Sequence, residues 1–275
     1  MELSRATVVT LGTRLPPSLG VFGRLQALLR REDTELGEIV ELVRIDPALT
    51  FQVIKLANSA FFGLRSRCES LEEAVGRIGF GDIHQMVGLA VSRQAFQGEL
   101  AVYGVAAGRL WENAVACASL SAQFAALAGA EAAGAYSTGL LRNIGKVVIN
   151  NHAPAARYPG EEAAPDAAAW EKELCGYSSA EVAAVLLDHW RFAPETVAAV
   201  ATHRAPAAAG AARLHLACGV VMEWGCELPG ETQGWRRDEA LLTQAGVPAE
   251  ELTGAIERAR AHFAKCALIE WSSAA

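Results

Sequence analysis

Ile45-Asp-Pro-Ala-Leu-Thr-Phe-Gln-Val-Ile-Lys-Leu-Ala-Asn-Ser-Ala-Phe-Phe-Gly63 is the stretch on which the reading of the fold turns. Asp46-Pro47 places a carboxylate ahead of a proline at a first helical position, where the carboxylate accepts from free backbone N–H groups and the proline lacks only an N–H that would be unpaired anyway. Leu49, Val53 and Leu56 then recur at helical spacing and make one apolar stripe. The polar pair Asn58-Ser59 follows among apolar neighbours. A buried amide or hydroxyl costs stability unless it is bonded, so the pair is expected to tie its helix to adjacent backbone, with a ligand contact as the alternative.

The same periodicity extends in both directions. Phe22, Leu25, Leu28 and Leu29 mark one helix and Leu36, Ile39, Val40 and Val43 the next. The spacing predicts helices over 18–31, 35–45, 47–61, 71–79 and 82–97, then 106–128, 131–151, 166–175, 179–190, 195–203, 211–226 and 249–271. Ser70 with Glu73, and Ser178 with Glu181, have the spacing at which two side chains reciprocally satisfy N–H groups at a helix start. Breaks fall at 98–104, 153–165, 205–210 and 229–234, the first being the best subdomain boundary. Two-residue alternation is nowhere sustained, so the fold class is all-α.

Composition narrows the function. In 275 residues, 52% are hydrophobic and 20% charged, the balance of a folded domain rather than a disordered one. A formal net charge of −7 gives no long-range attraction to nucleic acid or an anionic membrane. Mean hydropathy is positive, yet charges such as Arg109, Glu112 and Lys146 interrupt each apolar run before membrane-spanning length. Without a basic stretch leading into an apolar run at the N-terminus, a cytoplasmic location is expected. The six cysteines form no C-x-x-C pair and mostly sit in apolar helical patterns, which predicts reduced core thiols. No cofactor motif is present; the glycines from Gly76 to Gly81 follow no strand and read as a helix–helix connection.

Taken in order, Asp46-Pro47-Ala48-Leu49-Thr50, Leu56-Ala57-Asn58-Ser59-Ala60, the helix at 70–79, Trp111, Gly139-Leu140-Leu141 with Ile144-Gly145-Lys146, and Leu186-Leu187 with Trp190 and Pro194 resemble the HDOD domains, over about residues 15–225. Those domains are relatives of the HD-type metal-dependent phosphohydrolases and occur mainly in bacterial signalling proteins. The resemblance implies an N-terminal helical bundle over 1–100 packed on an HD-like helical subdomain with a C-terminal helix over 101–275.

The resemblance also says where metal ligands belong, since an HD-type hydrolase holds one or two divalent metals with histidines and aspartates from several helices. Its first histidine falls near Asn113, and its histidine–aspartate doublet on Arg142-Asn143. A later histidine aligns with Ser179, a histidine pair with His203-Arg204, and the final aspartate with Cys218. Arginine stays protonated and offers no lone pair, so it ligates no metal. No metal, no cofactor and no catalytic residue are therefore expected. His84, His152, His189, His215 and His262 read as core or surface imidazoles, and Ser178-Ser179 as a helix cap.

The expected function is a non-catalytic regulatory domain that acts through a separate signalling protein or a small ligand, without nucleic acid or membrane. The alternative is a residual HD-type phosphohydrolase acting on a cyclic nucleotide or other phosphoester. Arg142 admits two outcomes, because a buried guanidinium must be neutralised. Either an acidic neighbour such as Glu181 or Asp188 pairs with it, or it joins Asn143 and His203 in an anion site.

Overall fold

The computed structural model describes residues 2–59, 61–63, 66–164 and 166–269. Among them the chain forms fifteen α-helices and no strand, only an isolated bridge between Leu100 and Val105. No helix among the described residues is long and apolar enough to cross a membrane.

Six helices make the first half: α1 (Arg5–Gly12), α2 (Ser18–Leu29), α3 (Leu36–Arg44), α4 (Pro47–Ala57), α5 (Leu71–Ile78) and α6 (Phe80–Phe96). The α4 start is built as the sequence dictates, with Asp46 accepting from the Leu49 N–H and Pro47 opening the helix. Its stripe of Leu49, Val53 and Leu56 is buried. At its end the Asn58 amide bonds backbone on both sides: Nδ2 donates to the Ile54 and Cys68 carbonyls and Oδ1 accepts from the Cys68 N–H at 2.7 Å. Asn58 is itself exposed, so the tie is a surface clamp rather than a buried one. Ser59 donates to the Leu56 carbonyl. Ala60, in the same motif, lies outside the described residues.

The second half comprises α7 (Arg109–Leu127), α8 (Ala132–Leu141), α9 (Ile144–His152), α10 (Ala167–Cys175), α11 (Ser179–His189), α12 (Pro194–Thr202), α13 (Ala209–Glu223), α14 (Glu239–Ala245) and α15 (Ala249–Ala267). The Ser178–Glu181 capping box opens α11. At α5 the reciprocal arm differs: Ser70 accepts from Glu73, but the Glu73 carboxylate takes the Glu69 N–H. The helix expected to run to 271 ends at Ala267, and residues 270–271, with Pro165 in the expected break, fall outside the described residues.

Two helices, α1 and α14, escape the periodicity reading; both are short, at 8 and 7 residues. The helix expected over 131–151 is two, broken at Arg142-Asn143. The helix expected from 106 starts at Arg109, because Gly108 takes a left-handed conformation (φ 85°). A single apolar core runs through both halves, and α1 packs on α11 and α9, so residues before the expected boundary belong to the second half's packing.

Glycines set two close helix approaches. A Cβ on Gly139 would sit 2.5 Å from the Cys117 carbonyl oxygen, and one on Gly145 1.9 Å from that of Ser179. Thus α8 lies against α7, and α9 against the start of α11, at distances that any side chain would prevent. These two approaches bracket Arg142-Asn143 and hold it in the middle of the second half.

Candidate functional site

The break between α8 and α9 turns Arg142 and Asn143 inward; each is 2% exposed. Arg142 spends its donors on three neighbours: Nε on the Cys117 sulfur at 3.3 Å, and Nη2 on Asn113 Oδ1 and Glu231 Oε2, both at 2.8 Å. Asn113 Oδ1 also accepts from Asn143 Nδ2 at 3.1 Å, while Asn113 Nδ2 donates to the Cys226 carbonyl at 2.8 Å. Three residues singled out from the sequence are therefore one hydrogen-bonded unit.

Glu231 extends the network. Its other oxygen lies 3.2 Å from Lys146 Nζ, which lies 3.0 Å from Glu171. Glu171 is fully buried and collects two further donors, the Tyr103 hydroxyl at 3.0 Å and the Ser179 N–H at 2.5 Å. Ser179 thus contributes its backbone: the carboxylate sits at the α11 N-terminus, where free N–H groups and the helix dipole favour negative charge. Two cations and two carboxylates balance inside the core.

Electrostatics follow from this balance. Burial pushes the Glu231 carboxyl up, but Arg142 and Lys146 outweigh it and hold it at about 2. Burial works against the Lys146 charge, and Glu171 with Glu231 reverses the effect, raising its pKa. Burial also lowers Arg142, and Cys117, Cys218 and Glu231 more than restore it. The Cys117 thiol, raised by burial, is brought down to about 7 by the neighbouring Cys218 thiol and Arg142.

His203 ends up beside the network as a neutral ring. Burial first and the Arg142 charge second lower it to about 3, and its Nδ1 lies 2.8 Å from the Val200 carbonyl. Trp235 stacks on it with an interplanar angle of 17°, and Arg204 lies over the same indole. Cys218 is buried beside Cys117.

The neutralising partner differs from the two expected. Glu181 is committed to the Ser178 cap and to Lys172 at 2.9 Å, and Asp188 pairs with Arg5 on the exposed surface. Glu231 instead enters from the segment between α13 and α14. That segment is pinned by the Gly230 N–H on Glu161, by the Ala167 N–H on the Gly230 carbonyl and by Trp235 Nε1 on the Glu231 carbonyl. A Pro-Gly turn followed by an isolated glutamate carries no periodic signal, so Glu231 was not legible. Lys146, a charge within an apolar helix, was the one visible hint of a second buried pair.

The side chains present do not fit a divalent metal. A guanidinium occupies the position of the histidine–aspartate doublet, and its field repels a second cation at close range. Among the described residues, no three His, Cys, Asp or Glu side chains gather to hold a metal ion. Of the other histidines, His215 adjoins His203, its Nδ1 2.8 Å from the His203 carbonyl and its ring edge-on to Trp235, whereas His84 packs on Phe22 and contacts Ser137, and His262 contacts Ser119 from α15. All six cysteines are free and buried.

Residues 15–206 match the model of the HDOD domain. A protein of Treponema pallidum (strain Nichols), described as uncharacterized, is 31% identical over 143 residues; the match spans 47% of this chain but only 25% of that relative. Among solved structures, a Shewanella amazonensis SB2B protein called "Putative phosphohydrolase" has a TM-score of 0.69 at 23% identity, covering 95% of this chain and 97% of the other. An HDOD domain protein of unknown function from Geobacter sulfurreducens has a TM-score of 0.67 at 18% identity, covering 98% and 100%. At these identities the solved structures speak for the shared fold alone.

Proposed function

The chain belongs to the HDOD family, and on that premise we propose that it is a non-catalytic signal-transduction protein, acting through contacts with a separate protein or a small ligand rather than by turning over a substrate. The observation that carries this reading is the buried pair of Arg142 with Glu231 at 2.8 Å. Where an HD-type hydrolase needs lone pairs aimed at a metal, this chain has a permanent cation whose charge is already matched. Nothing is left over to activate water or to neutralise a phosphoester. The internal neutralisation of Arg142 also supports a structural role over the anion site with Asn143 and His203, because that anion's place is taken by a side-chain carboxylate. An acidic overall balance argues against nucleic acid as partner.

The test is an assay of the purified protein on bis(p-nitrophenyl) phosphate and on cyclic dinucleotides, with Mn²⁺ or Mg²⁺ added. No turnover above buffer is expected. Metal-dependent hydrolysis that disappears in His203→Ala would replace this reading with the residual phosphohydrolase.

A further inference from the structure

One helical turn from the Arg142 network lies a cavity of about 200 Å³. Its walls come from the same helices: Thr138, Ala199 and Leu214 each precede Arg142, His203 and Cys218 by four residues, and Ser121 follows Cys117 by four. A cavity of roughly 150 Å³ accepts a benzene-sized molecule, so this one has room for a small metabolite.

Its polar groups are unevenly matched. At the rim, Arg30 is shared by two carboxylates, Glu131 at 3.0 Å and Glu195 at 3.5 Å, and all three side chains are substantially exposed. That side carries one negative charge in excess. Arg213, on α13, pairs with no carboxylate among the described residues; its Nη1 donates to the Ala245 carbonyl and its Nε has no partner. Burial alone acts on it and lowers its pKa, the mark of a cation without a counter-charge. Ser121, 1% exposed, has a hydroxyl with no partner. Gln26 Nε2, buried and also unpaired, lies 3.4 Å from where a Cβ on the lining residue Gly134 would be. Orphaned buried donors cost free energy that a bound acceptor would recover.

We propose that this cavity binds a small apolar α-amino acid, its carboxylate toward Arg213 and Ser121 and its ammonium toward Glu131 and Glu195. A bare anion would satisfy Arg213 but face the surplus carboxylate at the rim, and a bare amine would leave Arg213 unmatched. A zwitterion meets both, and the alanine and leucine side chains of the lining suit an aliphatic group. The binding claim rests on the cavity, so a metal or a hydrolase activity at Arg142 would leave it standing.

Isothermal titration calorimetry with L-alanine, L-valine and L-leucine, against acetate and ethylamine as single-charge controls, tests it. At least one amino acid is expected to bind about tenfold or more tighter than either control, with binding lost in Arg213→Ala. Glu195→Gln, altering an exposed side chain, is expected to weaken the amino acid and leave acetate unchanged. If none of the three amino acids binds, or if acetate binds equally well, the proposal is overturned. Unchanged amino-acid affinity in Glu195→Gln overturns it as well, and that variant decides the matter should Arg213→Ala fail to fold.

Discussion

Arg142 Nη2 and Glu231 Oε2 meet at 2.8 Å in the core, from positions 89 residues apart. The two groups are desolvated together; Glu231 is the only carboxylate in ion-pair contact with Arg142 among the described residues, while Glu231 is also held by Lys146. Removing one partner of such a pair costs about 3–5 kcal/mol, because the survivor is left as an uncompensated buried charge. Replacing both with apolar groups of similar volume is often neutral. Glu231→Ala is therefore expected to lose several kcal/mol in a denaturant titration, and Arg142→Met with Glu231→Leu to recover most of it. If Glu231→Ala melts like the unaltered protein, the pair contributes nothing to the fold.

Gly145→Ala is expected to be the more damaging of two small changes in the helix packing. Its methyl group meets a backbone carbonyl at 1.9 Å, whereas the one in Gly139→Ala meets its nearest atom, also a backbone carbonyl oxygen, at 2.5 Å. Neither obstacle is a flexible side chain. Overpacking costs about 1–3 kcal/mol, and the α9–α11 approach puts Gly145→Ala at or above the upper end. Thermal melts of the two variants check the order.

Asn58→Leu deletes the three bonds the amide makes to Ile54 and Cys68. The unpaired backbone groups cost about 1–3 kcal/mol, with the lower part of that range expected here because Asn58 is exposed and water replaces some of what is lost. A variant of unchanged stability that lost a binding partner would show that Asn58-Ser59 contacts a ligand instead.

Acid should unfold this protein from an unusually high starting pH. His203 is lowered to about 3, and His84 and His262 to about 4, in each case foremost by burial. A histidine with a depressed folded pKa takes its proton first in the unfolded chain. The stability is thus intact above about 6.5, the ordinary histidine value, and drains away as pH falls toward 4. With three such groups the slope approaches about 4 kcal/mol per pH unit around pH 5. Glu231 acts in the same direction in a lower window, between its ordinary 4.5 and about 2. Urea midpoints measured from pH 8 to pH 4 give the slope, and His203→Gln should remove about a third of it.

Much of the fold was legible because helix signals are local. Asp46-Pro47, the Ser178–Glu181 box and the stripes around Leu49 and Val40 each act within a turn or two, and each appears where it was read. The break at Arg142-Asn143 escaped because its cause is tertiary: both side chains turn inward to partners on α7 and beyond α13, overriding a continuous helical pattern. For the site, the sequence supplied Arg142, Asn143 and Asn113, which do come together. It did not supply Glu231 or Glu171, whose partners are contributed by distant segments. The family resemblance points to the Ser179 side chain, whereas Ser179 serves through its backbone N–H.

Elemental analysis of the purified protein decides whether a self-neutralised Arg142 network stands where an HD-type hydrolase holds metal. Iron, manganese, magnesium and zinc are all expected well below one atom per chain. One metal per chain, lost on His203→Ala, would contradict it.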